Sequence, residues 1–229
     1  NKNSETAVLQ FTLNKTNLDF FIDGFPRQGI TNKAEYSRRI FITYCNQPRY
    51  KRELSLNEAN VTKIKKAISQ KRKLLIRYNK EFRYIEPYAI LRSDNETRNY
   101  IFCYCHKHQD YINYRLTKTD AVSVTRECFE HYDQDFVAGV KKNFDPFLSF
   151  GKVVVARLSE NGRNIYEHNI THRPYILEQK GNVYKFECSE LRAKIYFPQF
   201  LGEVEILEPL ELREWFKAGA TKMATVYSE

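Results

Sequence analysis

The sequence predicts an α+β chain in three parts: a strand-helix-helix unit, a basic helix leading into five short strands, and a segment alternating strands with helices. Two observations carry that reading. Apolar residues recur with period two in short runs and with helical period in others, and the switch between them recurs along the chain. Phe and Tyr occur 16 times each against 8 Gly and 7 Pro in 229 residues, which excludes collagen-like and low-complexity classes and supplies apolar area for packed cores.

In residues 7–13, Leu9, Phe11 and Leu13 alternate with Val8, Gln10 and Thr12, the pattern of a strand. A helix opening at Thr16 carries Leu18, Phe21, Ile22 and Phe25 on one side until Gly24, Pro26 and Gly29 break it. Thr31 is then read as the cap of a second helix over 32–45, with Ile40, Phe41 and Tyr44 apolar, and Pro48 ends the unit. The strand has no partner within these 48 residues. Unpaired strand amides seek another chain, so a homodimer is expected.

Residues 49–60 read as a polar connector, and 60–73 as a helix with Val61, Ile64, Ala67 and Ile68 on its apolar side. Strand patterns follow at 74–79, 82–91, 99–106, 111–117 and 121–126, separated by Asn/Asp-rich turns. A helix plus five short antiparallel strands suggests a small barrel of SH3 or Sm type. Residues 131–150 form a linking segment, helical at 133–142. Beyond it come strand 153–158, helix 164–170, strands 173–178 and 182–187, helix 189–197, strand 203–207 and helix 208–218. That βαββαβ order is ferredoxin-like. The expected divisions are therefore 1–48, 49–130, 131–150 and 151–229.

Charge is concentrated. Residues 49–80 hold eleven Lys/Arg and two acids, giving +9, the whole formal net charge; the remaining 26 bases and 26 acids cancel. Such a run is the footprint of a polyanion-binding surface, or else a solvated helix face with no partner. Five scattered cysteines, an odd number in a chain this long, read as reduced thiols of a cytoplasmic protein. In Cys103-Tyr-Cys105-His106-Lys-His108, strand alternation sends the thiols and imidazoles to opposite faces, so no shared metal site is expected. No apolar stretch is long enough to span a membrane. Phosphate-binding, dinucleotide, zinc-protease and nucleophile-elbow motifs are absent, and Arg126/His131 fits an RNA-cleaving Arg-x4-6-His pattern too loosely to count. A non-enzymatic protein without a cofactor is expected.

Two resemblances sharpen this. Residues 7–46 are similar to the ribbon-helix-helix family, whose two chains pair their N-terminal strands. The resemblance implies that Val8, Gln10 and Thr12 face the DNA groove and that Thr31/Asn32 approach phosphate. Guanine is read best by Arg or Lys, which this ribbon lacks, so its role is expected to be chiefly dimerisation. Ile64, Ala67, Leu75-Ile-Arg-Tyr78, Phe82-Arg-Tyr-Ile-Glu-Pro87, Asn99-Tyr-Ile101 and Tyr114-Arg-Leu-Thr-Lys118 resemble, in order, the pattern of the WYL domain. Asn99 stands where that family's Trp is found. The Arg-Leu-Asp-Arg stretch is Arg115-Leu-Thr-Lys118, which keeps both cations and loses the acid.

The WYL resemblance implies a ligand pocket lined by Tyr78, Arg83, Tyr100, Arg115 and Lys118, and the basic run adds Lys65, Lys66, Arg72 and Arg77 as expected nucleic-acid contacts. These types suit single-stranded RNA or DNA: cations neutralise phosphate and rings stack on bases. Tyr78 and Tyr100 would equally serve a barrel core, and Arg115 and Lys118 a surface ion pair. Proteins joining the two modules resemble accessory factors of RNA-targeting CRISPR systems, which implies an effector nuclease as partner. The other expectation is a transcription factor reading duplex DNA through the ribbon, with the WYL pocket as sensor.

Overall fold

The computed structural model describes residues 10, 12–19, 29, 32–92 and 97–228, and the chain divides into two compact units, 1–48 and 49–229. In the first unit, residues 15–19 are helical (α1), and α2 spans Lys33–Asn46. Its cap is Asn32, whose side chain accepts from the Glu35 N–H at 3.0 Å. The cap predicted at Thr31 lies outside the described residues, as does Val8. Gln10 and Thr12 are exposed and belong to neither helix nor strand.

The connector predicted at 49–60 is helical instead: α3 runs Arg49–Leu56, and α4 runs Glu58–Gln70. The face that α3 buries is marked by an acid. Glu53 is buried, and its Oε2 accepts from the Asn99 backbone N–H (3.0 Å) and side-chain Nδ2 (3.2 Å). Helix α4 ends earlier than predicted because Lys71 adopts a left-handed conformation (φ 51°), its N–H closing on Ala67 and Ile68. Arg72 and Lys73 therefore lie on a strand.

Five antiparallel strands follow: β1 (Arg72–Tyr78), β2 (Glu81–Leu91), β3 (Tyr100–Cys105), β4 (Asp110–Arg115) and β5 (Thr119–Cys128), in the order β4-β3-β2-β1-β5. β4 stops at Arg115 because Leu116–Lys118 turn into a 3₁₀ helix, so Thr117 leaves the face that alternation gives it. Both faces of this sheet are covered. On one, Val61, Ile64 and Ala67 of α4 pack on Leu74, Ile76, Ile85, Ile101 and Leu116. On the other, Tyr88 and Phe102 meet Val137 and Val140 of α5 (Gln134–Lys142), with Leu148 beyond. Pro87 has no N–H to give the ladder, and the β2–β3 register shifts between Pro87 and Ala89.

The last part runs β6 (Val153–Leu158), α6 (Glu160–His168), β7 (Tyr175–Lys180), β8 (Val183–Glu187), α7 (Glu190–Tyr196), β9 (Val204–Glu208) and α8 (Leu210–Val226). Its four strands form a second antiparallel sheet, ordered β7-β8-β6-β9, over Phe186, Tyr196, Phe197 and Phe200. Helix α6 starts four residues before the predicted 164, capped by Ser159, whose side chain accepts from the Gly162 N–H at 2.9 Å. Helix α8 runs well past the predicted 218. Among the described residues, no helix is long and apolar enough to cross a membrane.

Gly162 permits the approach of α6 to the chain before β9: a Cβ there would lie 2.3 Å from the Glu203 carbonyl oxygen. Gly219 of α8 has nothing within 4 Å of the same position. Gly162→Ala should therefore destabilise by about 1–3 kcal/mol despite better helix propensity. Gly219→Ala should stabilise by about 0.4–1 kcal/mol. Urea unfolding of both variants checks the opposite signs.

Candidate nucleic-acid interface

The structure divides the basic run. Lys73 is buried on β1 between Glu130 (2.7 Å) and Glu127 (3.3 Å), and the hydrogen bond to Glu130 holds its ammonium above the ordinary lysine range. Arg77 sits 3.5 Å from Asp120, Arg72 donates to the Arg126 carbonyl, and Lys71 lies over the Tyr132 ring. Lys63, Lys65 and Lys66 differ. They project from the exposed side of α4, and among the described residues no carboxylate pairs with them. Burial of Val61, Ile64 and Ala67 leaves the intervening positions facing water, so the packing that builds the core also presents these cations.

Lys118 is exposed in the 3₁₀ turn, next to Thr119, whose carbonyl accepts from Asn60 at 3.3 Å. Asn60 stands three residues before Lys63 on the same helix, so the turn and the lysine face adjoin. Arg115, partly exposed at the start of that turn, has no ion pair among the described residues. A ridge of unpaired cations thus runs from the turn along α4.

The five residues implied to line one pocket are split between the two faces of the sheet. Tyr78 and Arg83 come together on the α4 face. The Arg83 guanidinium lies 5.6 Å from the Tyr78 ring and 5.4 Å from the Tyr114 ring, and the two rings are 4.5 Å apart. Its Nη1 reaches the Tyr114 hydroxyl (3.0 Å) and His108 Nε2 (2.9 Å), and Nη2 reaches Glu81 (3.0 Å). With the side chain only 13% exposed, this guanidinium is largely spent inside the protein. Tyr100 and Arg115 face each other across β3 and β4 on the opposite side, where the buried Tyr100 ring lies 5.9 Å from Phe144. Their neighbour Asn113 donates to the carbonyls of Asp145 and Pro146 (3.3 and 3.1 Å), so the linking segment covers part of that polar face.

Sequence reasoning passed over the exposed rings of Phe82 (64%) and Tyr84 (49%) on β2, where Phe82 is the register partner of Arg77. Residues directly opposite in an antiparallel pair lie within side-chain reach. Two exposed rings on one face of β2, beside a half-exposed arginine, are groups on which bases can stack. The signal was present: once Ile85 is placed in the core, alternation forces Phe82 and Tyr84 outward.

Beyond the ridge and these rings, Cys103 and Cys105 are buried in the α4-side core, whereas His106 turns to the carboxylate of Glu86. His108 turns instead to Arg83. All five cysteines are free thiols. His131, the second half of the loose Arg-x4-6-His pattern, also meets Glu86 and stacks on Tyr104 at 3.9 Å.

Comparison with curated proteins returned no match. Among solved structures, the chain is similar to a CRISPR Cas-related protein, with a TM-score of 0.59 and 19% identity over 81% of this chain and 56% of that one. This chain therefore spans little more than half the length of that relative, and the likeness is one of fold. It also matches proteasome accessory factor B/C of Arthrobacter aurescens, with a TM-score of 0.33 and 21% identity over 72% of this chain and 27% of that one. Residues 59–124 match the WYL family, a span that covers nearly all of α4, the strands β1 to β4 and the first half of β5. The basic helix and most of the sheet it covers are thus similar to the WYL domain.

Proposed function

We propose that this chain is a non-enzymatic nucleic-acid-binding regulator whose WYL domain grips single-stranded nucleic acid, RNA in preference, without a cofactor. The observation that carries the proposal is the ridge of unpaired cations formed by Lys63, Lys65, Lys66 and Lys118, with Arg115 at the start of the same turn but on the other face of the sheet. The exposed rings of Phe82 and Tyr84 beside Arg77 support a single strand over a duplex, because only unpaired bases offer their faces for stacking. In this reading the N-terminal unit is a ribbon-helix-helix dimeriser, the WYL sheet a small SH3-like barrel, and the last part a ferredoxin-like extension. The reading extends to a cytoplasmic role in modulating an RNA-targeting effector nuclease, in line with the likeness in fold to a CRISPR Cas-related protein.

Filter binding of single-stranded RNA against duplex DNA, over a range of salt, tests the reading. With ~4–6 neutralised phosphates, log affinity against log salt should slope at about −3 to −4. Lys65→Ala/Lys66→Ala should flatten the slope by roughly 1.4, since each single-strand contact contributes about −0.7. Equal or tighter duplex binding would favour the ribbon as reader, through Gln10 and its neighbours. A flat salt dependence would end the nucleic-acid reading.

Arg115→Ala should weaken RNA binding about ten- to a hundredfold, the value of a charge-assisted contact, and leave the melting temperature unchanged because its guanidinium serves no ion pair among the described residues. Arg115→Lys should recover part of the loss. Normal binding with a lowered melting temperature would make Arg115 a structural residue. Deletion of residues 1–48 should convert a dimer to a monomer in light scattering, and a truncated chain that stays dimeric would place the contact on the WYL or terminal part.

A further inference from the structure

Four side chains that play no part in the proposed interface converge at one end of the WYL sheet. Glu86 on β2 is completely buried. Its Oε2 accepts from the Tyr88 hydroxyl (3.1 Å) and from the backbone N–H groups of Glu130 (3.0 Å) and His131 (2.9 Å). That fixes the carboxylate, and its Oε1 lies 3.0 Å from His106 Nε2 and is hydrogen-bonded at 3.1 Å to His131 Nδ1, whose proton a bound ion would displace. Glu130 joins them, and one donor atom from each of the four residues lies within 4.8 Å of every other.

Donor separation and charge both speak for an ion at their centre. A tetrahedral ion with bonds of about 2.0–2.1 Å holds its donors roughly 3.3 Å apart, close to the 3.0 and 3.1 Å that separate Glu86 Oε1 from the two imidazole nitrogens. The buried His106 Nε2, although 3.0 Å from Glu86 Oε1, has no hydrogen-bond partner among the described residues. The His131 ring is held by stacking on Tyr104 at 3.9 Å and 9°, and His106 packs edge-on against the same ring at 5.5 Å. Fixed imidazoles beside an anchored carboxylate are what a metal site requires of its surroundings. Glu86, Glu127 and Glu130 against the ammonium of Lys73 leave two negative charges when both imidazoles are neutral, the complement of a divalent cation. Lys73 occupies Glu130 Oε1, leaving that residue's other oxygen free to ligate.

We propose that Glu86, His106, His131 and Glu130 bind one divalent transition-metal ion of the zinc class, clipping β2, the end of β3 and the segment after β5 together. The short Cys-x-Cys-His-x-His string contributes His106 alone. The remaining ligands come from positions 20 residues before it and 24 and 25 after it, which no local spacing rule would join.

The test uses the full chain, stripped by chelator and titrated with Co²⁺ and then Zn²⁺. The expected result is one ion per chain, with the visible ligand-field bands of a four-coordinate nitrogen/oxygen site and no thiolate charge-transfer band. His106→Gln and His131→Gln should each weaken binding by ~100-fold or more. The Cys45→Ser/Cys128→Ser double variant, which removes the two exposed thiols, should bind as the parent does. X-ray absorption on the zinc-loaded parent needs no variant and should show two imidazoles with nitrogen at about 2.0–2.1 Å. Absence of saturable binding, binding that survives both histidine changes, or sulfur in the absorption spectrum would overturn the site. Two protonated histidines balancing the acids would instead give stability that rises on acidification and ignores added metal, which also refutes it. None of these outcomes depends on RNA binding, so this proposal and the functional one fail separately.

Discussion

Much of the second unit hangs on the buried carboxylate of Glu86. An ionised group out of water is costly unless every lone pair is met. Burial pushes the Glu86 carboxyl up, but hydrogen bonds from the His131 backbone and ring, the Glu130 backbone and the Tyr88 hydroxyl outweigh it, and the group titrates below an ordinary glutamate. Two of those donors are backbone amides of the segment leaving β5. Meeting the charge therefore fixes where the chain goes next: Asp133 caps α5, which is laid over the second face of the sheet.

That covering has functional weight. A sheet packed by α4 on one side and by α5 with the linking segment on the other keeps little free surface. What remains open is the outer side of α4, the 3₁₀ turn after β4, and the β1–β2 end where Phe82 and Tyr84 emerge. Tyr78 and Arg83 on one face and Tyr100 on the other are largely taken up in packing, and the unpaired cations sit on the rim. Phosphate contacts need only reach and charge, so a rim suits them, whereas stacking needs flat exposed rings, which the open end of β2 provides.

The strands were legible because short apolar and aromatic runs are bounded by Asn/Asp-rich turns, even where, as in β3, both faces are buried; all five of the first sheet were read, with shifted ends. Helix α3 was not, because its buried face is marked by the charged Glu53, and composition alone makes residues 49–60 look like a connector. The end of α4 escaped because a lysine, not a glycine, takes the left-handed turn. Site residues fared worse than elements. Alternation within β3 or β4 gives relative facing, but only the register Tyr100↔Arg115 and Ile101↔Tyr114 says which residues share a face across strands, and register is a tertiary fact. Likewise Glu86 and His131, 45 residues apart, meet only because β2 and the exit of β5 do.

Asn99 joins elements far apart in the chain. Its N–H and side-chain amide hold Glu53 of α3, its Nδ2 also donates to the Tyr50 carbonyl at 2.8 Å, and its own carbonyl accepts from the Leu116 N–H at 3.0 Å. Helix α3 and the turn that carries Arg115 and Lys118 are therefore anchored on one residue. The asparagine standing where the WYL pattern has tryptophan is thus a shared fastening, and its loss would take a hydrogen-bonded hold from both the first helix of this unit and the turn that bears the two cations.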